Sequence, residues 1–109
     1  MSAKQKLADM NARAVALYKA DGKTMTAFRG LMQAANREGT VSHAMKEMIA
    51  VAVAIGRGCE DCITFHTSEA KAHGARREEF LEVLAVAIEM SGGPGTVYAA
   101  KALAVFDEL

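Results

Sequence analysis

The sequence predicts a single all-α domain, and its length and composition point that way. The chain has 109 residues, of which 51% are hydrophobic, 22 are alanine, six are aromatic and none is tryptophan. Small side chains favour closely packed helices, whereas a β-sandwich needs more β-branched and aromatic residues. A chain of this length can bury about two-thirds of its surface, so it does not depend on disulfides to fold. We therefore expect one domain over residues 1–109.

Two amphipathic helices are predicted at the start of the chain. Apolar residues recur at three- and four-residue steps from about Ala3 to Ala20, and Asp21-Gly22 ends that pattern. A second pattern runs from about Thr24 to Glu38 and ends at Gly39. The apolar stripes consist of Leu7, Met10, Ala14, Leu17 and Tyr18 in the first helix and Met25, Phe28, Leu31, Met32 and Ala35 in the second.

The third helix is expected from His43 to Ile55 and should be the most buried. Ser42 is a good N-cap, because its hydroxyl oxygen can accept a hydrogen bond from the first turn. Residues 48–55 are almost continuously apolar, which is typical of a core helix. The alternation across residues 49–55 also fits a β-strand, but no other segment offers such a strand a partner. Gly56-Arg57-Gly58 then breaks the chain.

Three further helices complete the predicted fold. The fourth runs from about Cys59 to His73, and Gly74 closes it. The fifth runs from about Arg76 to Ser91 and carries two glutamates in its first turn, which suit the positive end of the helix dipole. The turn Gly92-Gly93-Pro94-Gly95 leads into the sixth, from about Thr96 to Glu108. Their apolar stripes contain Phe80, Leu81, Leu84, Ala87 and Ile88 in the fifth helix and Val97, Ala100, Leu103, Ala104 and Phe106 in the sixth.

The charge balance excludes two classes of partner. The chain carries 13 basic and 13 acidic side chains, with a pI near 6.8. Nucleic acids and anionic membrane surfaces bind positive fields, so we expect neither as a partner. The polar start, Met1–Lys6, has no apolar core of a signal peptide, and no apolar run approaches the roughly 18 residues of a bilayer span. We therefore expect a cytoplasmic protein, in which two cysteines are reactive or metal-bound.

The residues that carry chemistry are two cysteines and a histidine on the fourth helix. The motif Cys59-Glu60-Asp61-Cys62 places the thiols three residues apart, so on a helix they are neighbours that can form a local disulfide. His66 lies one turn beyond Cys62 on the same face. A helix N-terminus lowers the pKa of a first-turn thiol, and a nearby imidazole can accept the thiol proton.

Glu47 is the fourth candidate site residue. It lies in the largely apolar third helix, where a lone carboxylate needs a partner. The short break at residues 56–58 lets the third and fourth helices fold back antiparallel. We therefore expect Glu47 to approach His66.

These residues resemble a known family. Glu47, the pair Cys59-x-x-Cys62, His66 four residues on, a His-Gly-Ala helix end and a Gly-Gly-Pro turn resemble the carboxymuconolactone decarboxylase superfamily, in its alkyl hydroperoxidase D-like branch. The resemblance covers roughly Val41 to Leu103. It implies an all-helical protein that forms homo-trimers or homo-hexamers and reduces hydroperoxides with its CxxC pair, without a cofactor or metal. It also implies an external dithiol reductant of lipoyl or thioredoxin-like type.

The resemblance assigns roles to four residues of this chain. Glu47 and His66 correspond to the proton relay, and Cys59 and Cys62 to the redox pair. Cys62 would attack the peroxide as a thiolate and become a sulfenic acid, with which Cys59 condenses before a dithiol reopens the disulfide. In many other CxxC proteins the first cysteine is the nucleophile, so Cys59 can be the sulfur that meets the reductant. Some members have a second histidine between the cysteines, where this chain has acidic residues.

Other interpretations of the same residues stay open. The cysteines can be small buried hydrophobes. Cys59, Cys62 and His66, with Glu47 or His73, can also bind zinc, although three of these ligands crowd onto one helix. The protein would then be a non-enzymatic metal-binding or redox-sensing module. Lactone decarboxylation, the reaction that names the superfamily, is a weaker alternative, because it leaves the cysteines without a purpose.

For the remaining candidate residues we expect no part in the redox chemistry itself. His43 is expected to be solvent-exposed, and His73 to be a favourable cation at a helix C-terminus. Arg57 is expected to be an exposed loop residue, and Phe65 and Tyr98 to form pocket walls. Apolar residues on more than one face of the third and sixth helices predict the oligomer independently of the resemblance.

Overall fold

Six α-helices and no β-strand make up the protein, described here by a computed structural model of residues 1–109. The all-α class and the number of helices are therefore confirmed, and the alternative strand over residues 49–55 is wrong. None of the helices is long and apolar enough to cross a membrane. The helices are α1 (Ala3–Ala20), α2 (Gly22–Ala35), α3 (His43–Arg57), α4 (Glu60–Ala72), α5 (Arg77–Ser91) and α6 (Gly93–Glu108).

Helices α3 to α6 form a bundle that holds the hydrophobic core. Helix α3 contacts α4, α5 and α6, and α6 also packs on α4 and α5. The rings of Phe80 and Phe106 stack in this core with their centroids 4.8 Å apart. The bundle is thus built around α3, the helix with the continuous apolar run. The buried apolar residues of the core are Met48, Val51, Ala54, Ile55, Ile63, Ala70, Ala75, Phe80, Leu84, Ala87, Ala99, Ala102 and Phe106.

Helices α1 and α2 form a hairpin that lies outside this core. Helix α1 packs on α2 and α4, whereas α2 packs chiefly on α1. Ala3 is the one buried residue of α1, and α2 buries none. The backbone N–H of Ala3 donates to Oε2 of Glu108 at 2.6 Å, which connects the start of α1 to the end of α6. The hairpin is therefore attached to the bundle chiefly through α1, in part by polar contacts.

Helix α2 ends earlier than predicted. It stops at Ala35, three residues before Glu38. Both the backbone N–H and the side-chain Nδ2 of Asn36 donate to the carbonyl oxygen of Met32 at 3.0 Å. Asparagine side chains compete in this way with continued helical hydrogen bonding. The helix therefore closes before Gly39 is reached.

Two other helix boundaries also differ from the prediction. Helix α6 begins at Gly93 rather than Thr96, because Pro94 lies in its first turn, where a missing N–H costs no hydrogen bond. Helix α2 begins at Gly22 directly after α1. Asp21 serves both helices, because its N–H closes α1 while its carboxylate accepts from the first turn of α2.

The folded chain exposes more surface than its mass predicts. Its accessible surface is 6779 Å², against about 5,800 Å² for a monomeric protein of this mass. Large apolar side chains account for part of that surface, and they lie on five of the six helices. They include Val15, Leu17, Phe28, Leu31, Ile49, Val53, Leu81, Val86, Met90 and Val97.

Gly95 lies where α6 turns back closely onto α5, and it generates a first prediction. A Cβ at Gly95 would lie 2.8 Å from Cβ of Ser91 and 3.3 Å from Cα of Ile88, whereas nothing lies within 4 Å of a Cβ at Gly93. We expect Gly95→Ala to lower the free energy of unfolding by about 1–3 kcal/mol. The control Gly93→Ala should leave it unchanged or raise it by up to about 1 kcal/mol. Denaturant unfolding of both variants tests this, and equal stabilities would contradict the close packing.

Candidate active site

The chain turns sharply at Gly58, between α3 and α4. Helix α3 continues two residues past the predicted Ile55, to Arg57, and Gly58 follows with φ 69° and ψ 32°. Glycine adopts this left-handed conformation without strain. A Cβ here would also lie 3.3 Å from the hydroxyl oxygen of Tyr98. The turn therefore suits glycine alone, and it places Cys59 at the N-cap of α4.

Cys59 and Cys62 form a disulfide at the N-terminus of α4. Their Cα atoms are 5.3 Å apart, and Sγ of Cys59 accepts a hydrogen bond from the backbone N–H of Cys62 at 3.3 Å. Cys62 is exposed and Cys59 is half-buried. The sulfur pair therefore lies at the surface and at the positive end of a helix dipole, where a thiolate is favoured.

The buried carboxylate of Glu47 faces the ring of His66. Glu47 is 2% exposed, and its Oε2 lies 3.1 Å from Nδ1 of His66. His66 is half-buried and follows Cys62 by one turn of α4. The hairpin of α3 and α4 thus places the imidazole between a buried carboxylate on one helix and the start of the other.

This contact determines which nitrogen of His66 carries the proton. An ionised carboxylate only accepts hydrogen bonds, so Nδ1 of His66 donates to Oε2 of Glu47. The lone pair is then on Nε2. A carboxylate in this position orients the ring and stabilises the imidazolium. His66 can therefore accept a proton at Nε2.

A second histidine, His43, lies beside Glu47, and the sequence did not predict this contact. Nε2 of His43 is 3.9 Å from Oε1 of Glu47, and the His43 side chain is 29% exposed rather than fully solvent-exposed as expected. Its ring stacks on the ring of His73, with the centroids 3.7 Å apart. His73 does cap the end of α4, where its Nδ1 donates to the carbonyl oxygen of Glu69 at 2.8 Å. The spacing of four residues between His43 and Glu47 was an available signal.

The two acidic residues between the cysteines attach α4 to its neighbours. Oε1 of Glu60 lies 3.4 Å from Nζ of Lys6 on α1 and 3.3 Å from Nζ of Lys101 on α6. Asp61 pairs with Arg13 of α1 at 2.9 Å. The hydrogen bond and charge of Lys101, assisted by Lys6, hold the pKa of Glu60 below its ordinary value. The start of α4 is therefore fixed against both α1 and α6.

Comparison with known proteins places the chain in a family. The family model described as "Carboxymuconolactone decarboxylase family" matches residues 22–105. The chain belongs to the carboxymuconolactone decarboxylase family. A crystal structure of a carboxymuconolactone decarboxylase family protein from Legionella pneumophila has the same fold, with a TM-score of 0.93 and 38% sequence identity, over 97% of this chain and 95% of that one.

Two further proteins are similar in sequence to this chain. The chain is 52% identical over 106 residues to an uncharacterized protein of Cupriavidus necator, covering 97% of this chain and 94% of that protein. It is 40% identical over 83 residues to uncharacterized protein 4 in the cox locus of Paracoccus denitrificans, covering 76% of this chain and 75% of that protein. The CxxC disulfide is consistent with the alkyl hydroperoxidase D-like branch of the family.

Two open cavities adjoin the site in this family member. One, of about 340 Å³, is lined by Glu47, His43 and Phe65 together with residues of α2. The other, of about 670 Å³, lies between α3, α5 and α6 and reaches Gly58 and Tyr98. Phe65 and Tyr98 therefore both line cavities.

The alternative metal site does not assemble in this family member. No group of three or more His, Cys, Asp or Glu side chains converges where a metal ion could be held. The ring of His73, one of the ligands considered, stacks on His43 instead. The sulfurs of Cys59 and Cys62 are bonded to each other.

The ion pairs of Glu60 generate a prediction about pH. Its pKa is lower in the folded state than the ordinary value of 4.5, so its charge stabilises the fold above about pH 4.5 and that contribution is lost as the pH falls through the folded-state pKa. Because the side chain is 45% exposed, solvent screening limits the effect, and Glu60→Gln should lower the free energy of unfolding at pH 7 by about 0.5 kcal/mol. The difference in free energy of unfolding between the wild type and Glu60→Gln should disappear in acid.

Glu78→Gln is the matched control, because Glu78 also lies in a first helical turn but has no ion pair at the start of α4. Unfolding of both variants between about pH 7 and pH 3 measures the difference. A Glu60→Gln effect that persists in acid would contradict the electrostatic explanation.

Proposed function

We propose that this protein is a CxxC-dependent thiol peroxidase and disulfide reductase of the alkyl hydroperoxidase D type. One observation carries the proposal. Cys62 lies at the N-terminus of α4, one turn before His66, and His66 contacts the buried Glu47 at 3.1 Å. A thiol, a base for its proton and a carboxylate that orients the base are what activated cysteine nucleophiles require. Membership of the carboxymuconolactone decarboxylase family supports the same conclusion.

The first step oxidises Cys62. Its proton passes to Nε2 of His66, while Nδ1 keeps its hydrogen bond to Glu47. The thiolate then attacks the peroxide, so that a sulfur–oxygen bond forms and the oxygen–oxygen bond breaks. The leaving alkoxide takes the proton back from His66 and departs as the alcohol. Cys62 is oxidised to the sulfenic acid and the hydroperoxide is reduced.

The second step forms the disulfide between the two cysteines. The thiol of Cys59 attacks Sγ of Cys62, the sulfur–oxygen bond breaks and water leaves. The N-cap position of Cys59 supports this role, because its Sγ lies over the first turn, 3.3 Å from the backbone nitrogen of Cys62. The oxidised product of this step has the Cys59–Cys62 connectivity of the structure.

The third step restores the thiols with an external dithiol, of lipoyl or thioredoxin-like type. A thiolate of the reductant attacks one sulfur of the disulfide, and its second thiol releases the mixed disulfide, so the reductant leaves oxidised. The exposed position of Cys62 and the half-buried position of Cys59 support such an encounter. A cycle that needs continual reduction suits the cytoplasm, where thiols are kept reduced.

The assembly that we propose is a homo-trimer or homo-hexamer. Its support is the apolar surface that one chain leaves exposed on five helices. Monomeric proteins rarely present so many large apolar side chains without a partner surface.

The cysteine variants test the redox cycle. After reduction, one equivalent of an alkyl hydroperoxide should remove two hydrogens per wild-type chain, because the disulfide forms. Cys59→Ser should instead gain one oxygen, since Cys62 is oxidised but has no thiol partner. Cys62→Ser should not consume the peroxide. Intact-mass spectrometry over time gives all three results, and full activity of Cys62→Ser would contradict its role as the attacking sulfur.

The relay variants test the base and the carboxylate. We expect Glu47→Gln and His66→Ala to slow disulfide formation by about a hundredfold, because general acid–base groups contribute rate factors of that order. Glu89→Gln, on the exposed part of α5, is the matched control and should react like the wild type. Thermal unfolding checks that each variant is folded. If all four proteins oxidise equally slowly, the peroxidase proposal is wrong.

A further inference from the structure

Glu47 has a second neighbour that the relay described above does not use. Its Oε2 faces His66, and its Oε1 lies 3.9 Å from Nε2 of His43, one turn earlier on α3. The chain has three histidines, and His73 stacks on His43. Two of the three histidines therefore flank one buried carboxylate, and the third stacks on one of them.

The ring of His43 is held in its orientation from outside α3. It stacks on His73 with an interplanar angle of 28°, and His73 is fixed by its own hydrogen bond to the carbonyl oxygen of Glu69. The backbone N–H of His43 donates to the carboxylate of Glu38 at 2.8 Å, a contact that does not involve the ring. Packing thus turns Nε2 of His43 toward Glu47, and a substitution of the ring leaves the backbone contact intact.

The ionised form of Glu47 needs more than one partner. Burial removes most of the hydration of this carboxylate, so its oxygens need polar partners within the protein. The hydrogen bond from His66 replaces part of that hydration at Oε2. A protonated His43 places an opposite charge beside Oε1. The relay depends on ionised Glu47, because a neutral carboxyl group stabilises the His66 imidazolium less well.

We propose that His43 is a positioning residue for the thiol chemistry. Its imidazolium keeps Glu47 ionised and directed at His66, which increases the fraction of Cys62 that is thiolate. His43 acts through Glu47 and has no contact of its own with the cysteines. This inference rests on the proposed function, because it assigns His43 a part in the same relay. The cavity of about 340 Å³ that both His43 and Glu47 line gives solvent protons access to the pair.

Other charged groups face His43 from each element around it. The ring of His73 lies 3.7 Å from that of His43. The groups are Glu47 on its own helix, Glu38 before α3, His66, Glu69 and His73 on α4, and Arg29 of α2, which lines the shared cavity.

The test measures thiolate directly, through the alkylation rate of Cys62 by iodoacetamide at pH 7. It uses the reduced protein with Cys59→Ser, so that Cys62 is the single thiol and a serine, itself a good N-cap residue, replaces Cys59. His43→Gln should be alkylated about tenfold more slowly, since one pKa unit of thiol acidity is a factor of ten. His43→Lys, a permanent cation one turn from Glu47, should react within about twofold of the parent.

Three results would overturn the proposal. His43→Gln that reacts as fast as the parent, or faster, would show that the charge on His43 does not assist the relay. If His43→Lys is alkylated as slowly as His43→Gln, the shape of the ring matters and its charge does not. His73→Gln as slow as His43→Gln would show that the stack itself is required. Circular dichroism melting checks folding, and His43→Arg replaces His43→Lys if the lysine variant does not fold.

The same variants separate this inference from the proposed function. Iodoacetamide needs a thiolate but no peroxide, so the order of alkylation rates tests His43 even if the physiological substrate is something else. If peroxide does not oxidise the wild-type protein but the expected order of alkylation rates is observed, the peroxidase proposal alone is wrong. If peroxide oxidises the wild-type protein rapidly and His43→Gln reacts at the parent rate in both assays, the role of His43 alone is wrong.

Discussion

The buried carboxylate of Glu47 is the constraint on which the arrangement of the site depends. It lies in α3, the helix around which the bundle is built, between residues that form the core. A carboxylate in that environment is tolerated only with polar partners close by. Helix α4 therefore has to lie along α3 in the register that presents His66 at 3.1 Å. Core packing and site geometry are thus linked, because moving α4 by a turn would remove the hydrogen bond between His66 and the carboxylate.

The short connection between α3 and α4 sets where the two cysteines lie. Gly58 ends α3 in the left-handed conformation, and the next residue, Cys59, is already the N-cap of α4. Cys59 and Cys62 therefore occupy the N-cap and the first turn of α4, where backbone N–H groups favour negative charge. Glu60 and Asp61 also lie in this turn, where their carboxylates pair with basic residues of α1 and α6. The acidic residues of the motif therefore attach the start of α4 to its neighbours.

Periodicity predicted the helices well and their ends less well. The helical class and the six elements followed from alanine content, apolar steps and glycine breaks, whereas α2 ends at Ala35 because of one asparagine side chain and α6 starts early because of Pro94. The pairing of Glu47 with His66 could be predicted, since a carboxylate in an apolar helix next to a short turn has few partners within reach. The stacking of His43 on His73 could not, because it depends on how the end of α4 lies against the start of α3.

The cavity beside Glu47 is lined in part by α2, a helix that buries none of its residues. Helix α2 buries none of its residues and packs chiefly on α1, yet it supplies Arg29 and Met32 to the cavity that Glu47 and His43 share. Elements with few buried contacts open at low free-energy cost. The exposed Phe28 and Leu31 lie on this same helix. The bundle therefore fixes the distance between Glu47 and His66, while residues of α2 form one wall of the open cavity beside the carboxylate.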